Sequence, residues 1–346
     1  MKKPVTDTAV EESQNDAVKR RAKGEFVRGV SGFRSVLGDA DFPAEPGRYH
    51  LFVALNCPWC HRVTLARNVL GLQDAISLDV VFPSRTDDTD PIAPNLWEFN
   101  PTRNASLTGA PLPECTPETG TGNNFRLVKQ IYAAEGSDEG SVPVLYDKYT
   151  KRIVNNESAE IIRMLNDSVG ALAGSHAKVD RPDLYPTESA LRHEIDTLNQ
   201  EIYTNINNGA YKAGFSSDQA VYAAAFDAYF SMLSALEARL ASDGRPFLTG
   251  DRFTECDLRL FPTLYRHDPV YYLRMKLNGA RILDYPHLWR WLCRVYALQG
   301  VPESNSLDHC RQGYFGRSWN NVIPLGPFMP LPYPKAYKHP DLAKLP

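Results

Sequence analysis

The first 23 positions are polar and carry few large apolar side chains, and they are expected to be disordered. The pattern changes at Arg48. Tyr49-His50-Leu51-Phe52-Val53-Ala54-Leu55 is a short, nearly continuous apolar run of the kind a buried strand shows. It leads into Cys57-Pro58, and residues 59–70 then read as a helix closed by Gly71. Ser77-Leu78-Asp79-Val80-Val81-Phe82 is a second strand, stopped by Pro83. Residues 84–124 are rich in Pro, Gly, Thr and Asp, and their length marks an insertion rather than a simple connection. Residues 125–134 turn helical. Residues 142–146 and 152–154 read as strands paired across an Asp147-Lys148 turn, and residues 158–166 as a helix with Ile161, Ile162 and Leu165 on one side.

Strand–helix–strand followed by helix–strand–strand–helix is the order of a thioredoxin-like α/β domain, in which a parallel pair is followed by an antiparallel pair and a packing helix. Residues 24–167 are assigned to it, with an N-terminal extension and the insertion near 84–124. Gly170, Gly174, Pro182 and Pro186 mark 168–186 as a linker. Beyond it the period is helical: Leu191, Ile195, Leu198, Ile202 and Ile206 fall on one stripe. Ser217 or Asp218 can cap a long second helix through residue 240. Thr254 and Asp257 have capping-box spacing, with Phe253 and Leu258 as the hydrophobic staple. Residues 187–320 are therefore expected to form an all-α domain, and 321–346 a C-terminal tail.

Bulk properties narrow the function classes. A length of 346 residues suits two domains, and a net charge of −3 with scattered basic residues gives no basis for a nucleic-acid or membrane partner. The Lys19-Arg20-Arg21 run reads as a solvated segment. No stretch approaches the roughly 18 consecutive apolar residues of a membrane span. Lys2 and Lys3 are not followed by an apolar core, and Asp7, Glu11, Glu12 and Asp16 argue against a transit peptide. Six cysteines are too few for a disulfide scaffold, so free thiols in a cytoplasmic setting are expected.

Chemistry concentrates at Asn56-Cys57-Pro58-Trp59-Cys60-His61-Arg62. A Cys-x-x-Cys between a buried strand and a helix puts the first sulfur at the helix N-terminus, where unpaired N–H groups favour a thiolate. Cys60, one turn in, is the candidate resolving thiol. Cys-x-x-Cys-His also matches c-type haem attachment, but no export signal accompanies it. Zinc would need about four ligands, and no second cysteine pair or close histidine pair is present, so neither haem nor metal is expected. A pair of inert buried thiols is the remaining alternative. Val142-Pro143 suits a cis-proline facing the active cysteine, with Val142 offering its backbone to an extended peptide. At Glu157-Ser158 the opening of a helix can hold a carboxylate and Glu157 an ammonium group, which suits the γ-glutamyl end of glutathione. Ser158 taken alone reads as an N-cap.

With these elements placed, the chain resembles the glutathione transferases, and within them the Xi-class glutathionyl-hydroquinone reductases, from about residue 24 to 332. The resemblance is carried by Gly24-Glu25-Phe26-Val27-Arg28, Gly47-Arg48-Tyr49-His50-Leu51, Cys57-Pro58-Trp59, Val142-Pro143-Val144-Leu145 and Asn155-Asn156-Glu157-Ser158. It continues through Ile206-Asn207-Asn208-Gly209, Tyr211-Lys212-Ala213-Gly214, Arg266, Asp268, Val270-Tyr271 and Ile323-Pro324-Leu325-Gly326-Pro327. It implies the two-domain transferase architecture, a homodimer, and reduction of glutathionyl-hydroquinones with glutathione as co-substrate. Carried over by position, Cys57 is the nucleophile, and Trp97, Val142, Glu157 and Ser158 bind glutathione. Tyr211, Tyr271 and Tyr314 line the quinone pocket, with Tyr211 and Tyr314 able to donate a proton. Two departures stand out: Cys60 replaces the family's usual alanine, and Arg274-Met275-Lys276-Leu277-Asn278 with Tyr272 diverges beside the pocket. Cys60 leaves open a dithiol glutaredoxin-like thioltransferase or dehydroascorbate reductase. From another class, a non-catalytic glutathione- or quinone-binding protein remains as the alternative.

Overall fold

The computed structural model describes residues 20–87, 90, 94–174, 181–304, 306–316 and 322–327. Residues 1–19 of the stretch expected to be disordered lie outside these, as do 175–180 of the linker and 321 and 328–346 of the tail.

Tyr49–Val53 forms β1, which is buried along its whole length, and this is why its sequence is a continuous apolar run rather than an alternation. It pairs in parallel with β2 (Ile76–Val80), Tyr49 opposite Ile76, across α1 (Pro58–Val69). A helix Val128–Ala133, α2, precedes β3 (Val144–Asp147) and β4 (Arg152–Asn155), which add an antiparallel pair in the order β2-β1-β3-β4. The helix α3 (Ser158–Asp167) buries Ile161, Ile162 and Leu165. Two elements start later than the sequence suggests. Pairing of β3 starts at Val144, because Pro143 has no N–H for the ladder. α2 starts at Val128 because the chain before it is held extended, with Phe99 N–H donating to Arg126 C=O at 2.8 Å and Val128 N–H to Trp97 C=O at 3.1 Å.

The expected linker opens on a short helix, α4 (Val169–Ala173). Beyond it, α5 (Ser189–Glu201) runs through a π-helical turn, Ile202–Asn207, into α6 (Gly209–Gly214). Of the two capping candidates for α7 (Gln219–Asp243), Asp218 serves, accepting from Ala220 N–H and Val221 N–H at 2.9 Å. In α8 (Glu255–Arg266) Asp257 reaches back to Thr254 N–H at 3.0 Å, and a second π turn, His267–Tyr271, follows. The helices α9 (Pro286–Tyr296) and α10 (Leu307–Phe315) complete this half. Among the described residues no helix is long and apolar enough to cross a membrane, and no cluster of side chains could hold a metal ion.

The insertion is anchored rather than looped free. Buried Asp79 of β2 accepts from Thr119 N–H at 2.6 Å, Gly120 N–H at 3.2 Å and Thr116 Oγ1 at 3.2 Å, and pairs with His50 Nε2 at 3.0 Å. Burial pushes its carboxyl up, yet His50 and the Thr119 donors hold it below the ordinary carboxylate value. Gly120 is required here, since a Cβ would meet the His50 ring at 2.3 Å. Asp79→Ala should lower unfolding free energy by about 3 kcal/mol, because it strands the buried Gly120 N–H and His50 Nε2. Chemical denaturation measures this, and a loss indistinguishable from zero would contradict the anchor.

Candidate active site

Cys57 is the N-cap of α1 and half-buried, with Pro58 at the first helical position, where its missing N–H leaves no bond unmade. Burial alone would raise the thiol pKa. Hydrogen bonds from the Cys60 thiol and from the Cys60 and Trp59 N–H groups, with the Arg266 charge, bring it down to about 6. Cys60 moves the other way, pushed well above an ordinary thiol by burial and by Cys57, while its Sγ accepts from Ala54 N–H at 3.3 Å. At neutral pH the pair is therefore a thiolate at Cys57 hydrogen-bonded by a thiol at Cys60. All six cysteines are free.

Behind the pair lies Arg266, fully buried in the last turn of α8. It donates to Leu55 C=O at 3.0 Å and Asn56 C=O at 3.3 Å, the two carbonyls immediately before Cys57, and to Pro262 C=O at 2.8 Å. Its fourth partner is His61 Nδ1 at 2.8 Å. A guanidinium only donates, so Nδ1 accepts and the imidazole proton sits on Nε2, 2.8 Å from Ser304 Oγ, which in turn donates to Val301 C=O. Burial and the Arg266 charge hold His61 neutral by driving its pKa well down. The family resemblance includes Arg266 but attaches no role to it, and α8 carries other buried charges, Glu255, Asp257 and Arg259, so composition does not single it out.

The glutathione-site expectations meet the structure unevenly. The Val142-Pro143 peptide is cis, and Cys57 Sγ lies 3.9 Å from Val142 C=O. Glu157, not Ser158, caps α3: its Oε1 accepts from Ala159 N–H at 3.2 Å, and Ser158 becomes the buried first residue of the helix. A carboxylate one atom longer than the common caps serves because the preceding strand already turns there, with Glu157 N–H donating to Asn155 Oδ1 at 2.7 Å. Ser31, from the N-terminal extension, donates to Glu157 Oε2 at 3.3 Å and was not singled out by any motif. Trp97 is buried beneath the Arg85 guanidinium, 4.8 Å from the ring, and packs into the main hydrophobic core, while its C=O accepts from Val128 N–H of α2.

Three phenols converge from separate elements. Tyr211 of α6 and Tyr314 of α10 share a 2.6 Å hydrogen bond, and Tyr271, from the second π turn, lies 3.2 Å from Tyr314. Burial raises Tyr211 and drives Tyr271 and Tyr314 well above an ordinary phenol, so all three keep their protons at neutral pH. Arg28 lies over the rings of Trp59 at 4.4 Å and Tyr211 at 4.9 Å, joining the extension to the residue two beyond Cys57. The divergent segment reaches the cluster as well: Arg274 donates to Tyr314 C=O at 3.1 Å.

A thiolate at a helix start in a thioredoxin-like half, closed over by a helical half, defines a class of protein. Family models for the glutathione S-transferase N-terminal and C-terminal domains match residues 56–168 and 219–294. The glutathionyl-hydroquinone reductase PcpF of Sphingobium chlorophenolicum is 40% identical over 89% of this chain and 92% of its own length. The glutathionyl-hydroquinone reductase YqjG of Escherichia coli is 39% identical, covering 88% of each chain. The glutathione-bound YqjG structure superposes with a TM-score of 0.75 at 37% identity, covering 88% of this chain and 95% of that one. The Xi glutathione S-transferase of Phanerochaete chrysosporium superposes with a TM-score of 0.77 at 36% identity, over 90% of this chain and 96% of that one. The chain belongs to the glutathione transferases, in their Xi-class group of glutathionyl-hydroquinone reductases.

Arg266→Met should move the pH midpoint of Cys57 alkylation by iodoacetamide upward by about one unit, since a buried charge near the sulfur is removed. Arg266→Lys, which keeps the charge, should shift it less. Equal midpoints in folded Arg266→Met and wild type would remove the guanidinium from the account.

Proposed function

We propose that this chain catalyses glutathione-dependent reductive deglutathionylation of glutathionyl-hydroquinones through a Cys57–glutathione mixed disulfide. One observation carries the reading: a lowered thiol, Cys57, in the same site as three phenols that stay protonated. That is a nucleophile for sulfur beside proton donors for carbon. The names of PcpF and YqjG support the same substrate class.

The Cys57 thiolate attacks the thioether sulfur of the substrate. A sulfur–sulfur bond forms as the carbon–sulfur bond breaks, and the bonding pair passes to the ring carbon, which takes a proton from the Tyr211–Tyr314 pair. Tyr271 orients that pair against the quinol oxygens. The ring is reduced by two electrons and the two sulfurs are oxidised to a disulfide. A second glutathione thiolate then attacks the glutathione sulfur, releasing glutathione disulfide and the Cys57 thiolate. Val142 C=O would receive the glutathione backbone, and Glu157 with the N–H groups at the start of α3 would take its γ-glutamyl end. Ser158 would contribute its hydroxyl there, and Trp97 would wall the site from the insertion. We infer a cytoplasmic homodimer as the working form.

A dithiol thioltransferase is the second reading, favoured by the hydrogen bond between Cys60 and Cys57. The raised Cys60 thiol argues for a donor rather than an attacking group. In a glutathionyl-hydroquinone assay Cys57→Ser should reduce turnover on the order of 1,000-fold. Cys60→Ala should retain turnover above pH 8 and fall behind wild type below pH 7, because loss of its hydrogen bond raises the Cys57 pKa. Equal loss in both variants at every pH would establish the dithiol route. Absence of any Cys57 adduct after incubation with glutathione disulfide would leave a binding protein.

A further inference from the structure

We propose that the insertion, through its described residues 84–87 and 94–124, forms a brace that sets the position of Tyr314, and that Gln312 is the positioning residue through which the brace acts. The proposal rests on the quinol reading above for its catalytic consequence, and on hydrogen bonds for its mechanics.

Gln312 lies on α10, two residues before Tyr314, and is 2% exposed. Its side-chain amide faces the insertion. Nε2 donates to Ser84 Oγ at 3.3 Å and Ser106 Oγ at 3.4 Å, and Oε1 accepts from Leu107 N–H at 3.3 Å. Ser84 Oγ donates to the Gln312 backbone C=O at 3.1 Å. Both amide protons and one acceptor site are thus used, which specifies the orientation of the amide. One turn earlier, buried His309 places Nε2 3.3 Å from Glu114 Oε2, also in the insertion. Residues three apart share a helix face, so His309 and Gln312 make one edge of α10 a seam with the insertion.

The adjacent face of α10, one residue or about 100° round the helix, lies against the Cys57 turn. Cys310 Sγ is 3.7 Å from Leu55 C=O, and a Cβ on Gly313 would come within 2.3 Å of Asn56 Nδ2. The helix is therefore held on two adjacent faces, by the insertion and by the cysteine turn, and Tyr314 is delivered to Tyr211 and Tyr271 from that seat. The insertion is stiff enough for this. Phe82, Ala105, Leu112 and Cys115 form a small core of their own, and the Arg103 guanidinium covers Phe82 at 4.2 Å. Arg103 also donates to Ser84 C=O at 3.2 Å, beside the contact with Gln312. Its far end is fixed to the sheet at Asp79. A continuous path of contacts runs from sheet to insertion to α10 to phenol.

The test compares wild type with Gln312→Met and, from the insertion side, Ser84→Ala combined with Ser106→Ala. For folded protein, kcat with a glutathionyl-hydroquinone should fall about tenfold or more, as a displaced proton donor would dictate. The rate of Cys57 alkylation by iodoacetamide, which needs no phenol, should stay within about twofold. Peptide-resolved hydrogen exchange over residues 307–316 should be faster in both variants. Unchanged kcat in both, alkylation falling in parallel with kcat, or unchanged exchange would overturn the proposal. A wild type that does not turn over the quinol conjugate would end the quinol reading alone, and the exchange measurement would still decide the brace.

Discussion

Arg266 brings a full positive charge into the interior where the two halves of the molecule meet. Three of its acceptors, Leu55 C=O, Asn56 C=O and His61 Nδ1, belong to the α/β half, and Pro262 C=O to its own helix. A buried cation whose donors lose their acceptors is destabilising by several kcal/mol. The docking of α8 on the Cys57 turn is therefore tightly constrained, because a slide of one half past the other would break these contacts together. The contacts to Leu55 C=O and Asn56 C=O also hold the backbone that leads into Cys57, so the interface that joins the halves is also the floor of the site.

The electrostatics follow from that placement. Helix-start N–H groups, the Cys60 thiol and the Arg266 charge overcome burial at Cys57, whereas the phenols have burial with little to oppose it. Neighbouring groups are thus pushed in opposite directions, the thiol toward its charged form and the phenols toward their neutral form. That separation is what a reaction needs when one group must attack sulfur and another must deliver a proton. Neutral His61 adds no second positive charge; it passes the Arg266 contact on to Ser304 and so fixes the loop before α10.

Local rules written into short stretches were readable from the sequence alone. The apolar run of β1, Gly71 closing α1, a cap at Ser217 or Asp218 and Val142-Pro143 each depend on a few neighbouring residues. Features decided by distant partners were not. Glu157 takes the cap expected of Ser158 because Asn155 and Ser31 already shape that turn. α2 begins late because Trp97 and Arg126 belong to an extended pairing across the insertion. The insertion reads as loop by composition, yet Asp79 and His50, both hidden inside strands, anchor it to the sheet. Arg266 belongs to the family resemblance without a role attached, since its meaning lies in carbonyls some 210 positions away along the chain. The family resemblance supplied the three tyrosines, and their convergence on one hydrogen-bonded cluster is a tertiary fact.

The chemistry of the site depends on Cys57 being a thiolate at neutral pH, poised by its helix start and by a charge from the other half. The direct measurement is the thiolate absorbance of the full chain, followed against pH and corrected with Cys57→Ser. A Cys57-dependent transition near pH 6 is the predicted result. A transition near the ordinary thiol value of about 8.5 would contradict it.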